Sequence, residues 1–133
     1  MGLMKNTLLL LILIATTVVS CSNDDDTTQQ DRLTGSWDLR YIYGGIGGIA
    51  DTIPSGTVTY TFNNGALLVE NNNPEPDYSF LQSGSYNYNF TTISNIEYLQ
   101  INNKPYEIFS IETSAFSIGD DVPLDGLGYT FER

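Results

Sequence analysis

The stretch Ser83-Gly84-Ser85-Tyr86-Asn87-Tyr88-Asn89-Phe90 carries the cleanest two-residue alternation in this 133-residue chain. Successive side chains of an extended strand point to opposite sides, so Tyr86, Tyr88 and Phe90 share one face and Ser85, Asn87 and Asn89 the other. A helix would spread the three rings around its circumference instead. The stretch reads as a strand half-buried against an apolar core.

The same pattern recurs on both sides of it. Ser36 to Tyr43 places Trp37, Leu39, Tyr41 and Tyr43 opposite Ser36, Asp38 and Arg40, and Thr57 to Phe62 places Val58, Tyr60 and Phe62 opposite three threonines. Asn63-Asn64-Gly65 turns the second of these into Ala66 to Glu70 as a hairpin. Ile96 to Ile101 and Tyr106 to Glu112 flank a further hairpin signal, Asn102-Asn103-Lys104-Pro105. Ala115 to Ile118 is short, and Gly128 to Arg133 sets Tyr129 and Phe131 on one face. No stretch of the mature chain has convincing helical periodicity. Arg32 to Arg133 is therefore one all-β domain, a small antiparallel barrel of about eight strands, since closure removes the edges that aggregate. A two-sheet β-sandwich fits the periodicity almost as well.

The N-terminus has a different character. Lys5 precedes Thr7 to Val19, an apolar run without a charge. A bilayer-spanning helix needs about 20 apolar residues, and this run is nearer a signal-peptide core. Residues 1–20 are expected to be removed at Val18-Val19-Ser20-Cys21, which resembles a bacterial lipobox. Cys21 is the only cysteine, so no disulfide can form within the chain. The resemblance implies that Cys21 carries acyl chains such as palmitate, each buried methylene adding about 0.8 kcal/mol of membrane affinity.

Residues 21–31 are polar and read as a flexible tether. Within it, Ser22-Asn23-Asp24-Asp25-Asp26 resembles the acidic signal that sends outer-membrane lipoproteins to the cell surface; the plainer reading is a solvated linker. The expected location is the outer membrane, lipid-anchored and facing outwards.

Charge and composition narrow the chemistry. Removing Lys5 from the five basic residues leaves four against sixteen acids, a net charge of −12. Nucleic acid is not an expected partner. The chain has no histidine, so Ser-His-Asp and Cys-His catalysis are excluded, as are zinc sites built on His and Cys. No cofactor is expected, and the protein reads as non-enzymatic. The glycine-rich run Gly44 to Asp51 lacks the Lys-Ser/Thr of a phosphate loop and reads as a mobile loop at the barrel mouth. Asp120, Asp121 and Asp125 form either a solvated acidic turn or a Ca²⁺ site without EF-hand spacing.

Leu33-Thr34-Gly35-Ser36-Trp37-Asp38-Leu39 resembles the Gly-x-Trp opening of lipocalin-like barrels, especially the short lipocalin-like domains of bacterial lipoproteins. The resemblance implies that Trp37, two residues after Gly35, packs across the closed end and that a basic residue near the last strand, Arg133, stacks on it. Trp37 is otherwise a generic core aromatic. The Thr-Asp-Tyr motif of that family is not in its place; Pro76-Asp77-Tyr78 comes too early.

Two functions lead, with carboxylate-based catalysis a third. In one, Tyr41, Tyr60, Tyr86 and Tyr88 wall a site for a small apolar or carbohydrate-like ligand. In the other, the aromatics fill the core and the outer surface or the glycine-rich loop meets a partner protein. Each ring buries roughly 150–250 Å², so whether the interior is open or filled decides between them.

Overall fold

The computed structural model describes residues 28–75, 80–120 and 125–133. The segment expected to be a signal peptide (residues 1–20), Cys21, Asp24 to Asp26, Asp77 and Asp121 lie outside the described residues.

One short helix precedes nine strands: α1 (Gln29–Leu33), β1 (Gly35–Gly44), β2 (Ile49–Thr52), β3 (Val58–Asn63), β4 (Ala66–Asn71), β5 (Gly84–Ile93), β6 (Ile96–Ile101), β7 (Lys104–Ile111), β8 (Ala115–Gly119) and β9 (Leu127–Glu132). Neighbouring strands pair antiparallel, and β9 pairs back onto β1 from Glu132↔Asp38 to Leu127↔Gly44. That last ladder closes the sheet on itself, which decides for the barrel against the sandwich.

The expected eight strands become nine because one stave is split. A single edge of β1 pairs with β3 along Gly35 to Asp38 and with β2 along Tyr41 to Gly44. The chain leaves the ladder between the two, and the outward-facing Asp38 secures the excursion. Its carboxylate accepts from Ser55 Oγ at 2.6 Å, Gly56 N at 3.1 Å and Thr59 Oγ1 at 3.0 Å. These bonds, the one from Ser55 foremost, hold its pKa below the usual carboxylate value. The glycine-rich run is thus the hairpin of β1 and β2 rather than only a loop, with Gly44, Gly45 and Gly48 at positive φ.

Hairpin chemistry sets most other connections. Asn64-Gly65, Ser94-Asn95 and Asn102-Asn103 each place two successive residues at positive φ, the turn whose twist matches the strands it joins. Asn-Gly and Asn-Asn announce two of them in the sequence, whereas Ser94 at φ 52 has no such signal.

Two expectations are corrected. The register shifts between Leu39 and Tyr41, so after Trp37 and Leu39 it is Ile42 that turns inward, while Tyr41 and Tyr43 face solvent at 40% and 39% exposure. Tyr41 is therefore not an interior wall. The tether does not extend to Asp31, because α1 begins at Gln29. Thr28 caps it, its Oγ1 accepting from Asp31 N, and Leu33 is fully buried at its end. A second bulge, between Ile108 and Ser110, puts Phe109 outside and returns Ile111 to the core.

The interior is dominated by rings. Trp37 meets Phe116 edge-on at 4.9 Å, Phe116 stacks on Phe131 at 4.4 Å, and Phe131 meets Tyr60 at 4.8 Å. Tyr60 in turn stacks on Phe80 at 5.8 Å, so a column of aromatics runs the length of the barrel.

Candidate functional site

The two ends of the barrel are built differently. At one end α1, the start of β1 and the end of β9 converge. The Trp37 indole N–H donates to Leu33 O at 2.7 Å, and the Arg133 guanidinium lies over the Trp37 ring at 4.0 Å. Arg133 also donates to Thr113 O at 2.8 Å and Thr34 O at 2.9 Å, with a longer bond to Arg32 O, and Arg32 itself donates to Ile111 O. Gly35, at φ +116, completes the arrangement: a Cβ there would approach Arg133 Nη1 at 3.2 Å. Gly35, Trp37 and Arg133 are thus brought together, and this end is closed by the fork geometry of one arginine.

The opposite end gathers the β1–β2 hairpin, the connection between β4 and β5, and the turn before β9. Phe80 reaches into it. Its ring stacks on Tyr129 at 4.1 Å and 18°, on Tyr60 at 5.8 Å and 15°, and meets Tyr106 edge-on at 4.8 Å. The backbone follows the ring: Leu81 N donates to Tyr60 Oη at 3.1 Å and Asn71 Nδ2 to Leu81 O at 2.8 Å. Burial pushes the hydroxyls of Tyr60, Tyr106 and Tyr129 above the ordinary tyrosine pKa, so all three are neutral donors and acceptors at physiological pH.

The sequence-selected tyrosines separate. Tyr60 and Tyr88 are buried, Tyr86 is half-buried and donates to Gln82 O at 2.8 Å, and Tyr41 is outside. The Tyr88 hydroxyl is buried without a hydrogen-bond partner among the described residues. Tyr106, Tyr129 and Phe80 were not selected from sequence. The first two carry the right alternation, and the apolar pair Phe80-Leu81 interrupting a polar stretch was the available signal for the third.

Beside the split stave, between β2 and the segment after β4, lies a cleft of about 550 Å³. Ile42 and Ile53 form its apolar base, and Asp51, Thr52, Asn73 and Glu75 stand around it. Of the acidic turn, Asp120 is paired with Lys104 Nζ at 2.7 Å and Asp125 is exposed at φ 72. Among the described residues no three carboxylate or thiol groups converge.

No protein-family model matches the sequence, and no curated protein matches it either. Among solved structures the chain is similar to a lipocalin-like protein from Bacteroides uniformis, with a TM-score of 0.50 and 14% identity over 77% of this chain and 98% of that one. Ring closure, strand order and this likeness together establish a lipocalin-like fold.

Proposed function

We propose that the chain is a lipoprotein anchored to the outer membrane through acylated Cys21, facing the cell exterior, whose barrel binds a small ligand at its open end. The observation that carries the binding reading is the cleft of about 550 Å³. Its volume lies within the roughly 300–1,000 Å³ of small-molecule sites, and it pairs an apolar base with a few polar groups in the way such sites do. Hydroxyls, carboxylates and amides around isoleucines suit a carbohydrate-like or amphipathic compound. This reading is non-catalytic, since no histidine is present and the one cysteine serves the anchor.

A second reading is favoured by the aromatic column. A barrel filled from Trp37 to Phe80 serves equally as a rigid scaffold that presents its outer surface to a partner protein.

The whole lipoprotein in detergent, titrated with an apolar fluorescent probe and with short glycans, separates the two. Saturable binding at one site, abolished by filling the cleft with Thr52→Trp, is expected. A folded, cooperatively melting chain that binds none of them removes the ligand reading in favour of the scaffold. The anchor has its own test: Cys21→Ser should abolish palmitate incorporation and release the protein from membranes. Protease added to intact cells should digest the domain, and survival until lysis contradicts the outward orientation.

A further inference from the structure

Phe80 is held as a bound ligand would be. Its ring lies near-parallel to Tyr129 at 4.1 Å and to Tyr60 at 5.8 Å between centroids, and meets Tyr106 edge-on at 4.8 Å. The three tyrosines belong to β3, β7 and β9, whereas Phe80 comes from the connection ahead of β5. The slot is therefore made by the barrel wall and its occupant by a loop.

Two features bear on exchange. Phe80 has φ 61, a left-handed backbone that a bulky side chain rarely adopts, so the seated position carries backbone strain. The Phe80 ring itself is held by ring contacts, and among the described residues the segment around it is held by Leu81 N to Tyr60 Oη, Asn71 Nδ2 to Leu81 O, Asn71 N to Ser83 Oγ and Tyr86 Oη to Gln82 O. The closed end, by contrast, is locked by an arginine with several carbonyl partners.

We propose that Phe80 is a built-in stand-in for a planar aromatic ligand, and that the Tyr60–Tyr106–Tyr129 slot binds such a ring when Phe80 swings out. The inference rests on the reading that the open end takes a small ligand, and it names the ligand's chemistry. The near-parallel arrangement of Phe80 with Tyr60 and Tyr129 is the geometry of stacked aromatic rings, which a planar aromatic ligand in the place of Phe80 reproduces. The neutral tyrosine hydroxyls, together with the Lys104 ammonium 5.2 Å from the Tyr106 ring and its partner Asp120, offer donors and acceptors to a ring bearing hydroxyl groups. The ligand class is a small phenolic or comparable polar aromatic compound.

The test uses the full chain with 4-fluorophenylalanine introduced in place of Phe80, followed by fluorine NMR during titration with resorcinol and, separately, with methyl β-D-glucopyranoside. Resorcinol should move the fluorine resonance saturably towards its solvent-exposed position, and the glucoside should not. Phe80→Ala should tighten resorcinol binding by about tenfold or more, because the internal competitor is gone. Binding of resorcinol that leaves the fluorine unmoved, with backbone shifts at Thr52 and Asn73, overturns the Phe80 inference and leaves cleft binding standing. Absence of resorcinol binding to both chains also overturns it, and if probe and glycans fail as well the open-end reading falls too. Should Phe80→Ala not fold, the fluorinated chain decides alone.

Discussion

The closed end of this barrel and the opposite end, proposed above to be the open one, use the same aromatic side chains and secure them by different physics. At the closed end, Trp37 is fixed by an indole hydrogen bond and by Arg133, whose donors hold backbone carbonyls of two separate segments. At the open end, Phe80 is fixed mainly by ring stacking. Charge-assisted hydrogen bonds are directional and lose much when displaced, whereas stacked rings exchange readily for another flat surface. The difference teaches how one end is locked by directional bonds, and it is the contrast on which the proposed exchange at the other end rests.

The sharpest test of that contrast removes a ring from each end. Trp37→Ala empties a fully buried site and should destabilise the fold by about 3–5 kcal/mol. Phe80→Ala, at a half-buried ring, should cost about 1.5–3 kcal/mol in the same denaturant titration. Equal losses would erase the distinction. Arg133→Ala should cost about 1–2 kcal/mol through lost cation–π and hydrogen-bond contacts, and Arg133→Lys should recover only part of it, since an ammonium cannot span the same carbonyls.

Tyr88→Phe removes a buried hydroxyl that has no partner among the described residues. It should leave stability unchanged or raise it by up to about 1 kcal/mol. The smallest effect is confined to acid. Asp38 has a lowered folded-state pKa, so its contribution is complete above the unfolded carboxylate value of about 3.9 and is lost as pH falls through the folded value. Thermal melts between pH 2 and 7 should show Asp38→Asn with a shallower acid decline than the parent, and parallel curves would contradict the role given to that carboxylate.

Much of this was legible in the sequence, and the rest failed for definable reasons. Alternation locates most strands, and the Gly-x-Trp resemblance points to Gly35, Trp37 and Arg133. The bulge at Leu39 and Tyr41 was not legible, because Trp37, Leu39, Tyr41 and Tyr43 alternate without a break and only pairing with β9 turns the last two outward. Asp38 reads as one more polar strand residue until the excursion it secures is visible. Phe80 has no periodic neighbours at all, since a loop residue acquires its burial from strands far away in the chain.

Native-state hydrogen exchange tests the central claim most directly, because it reads both ends in one sample. The Trp37 indole N–H, bonded to Leu33 O, should exchange only through global unfolding. The Leu81 amide, bonded to Tyr60 Oη, should exchange about a hundredfold faster or more, through local opening of the mouth. Equal rates that shift together with denaturant would show one cooperative unit and contradict an open end that admits a ligand.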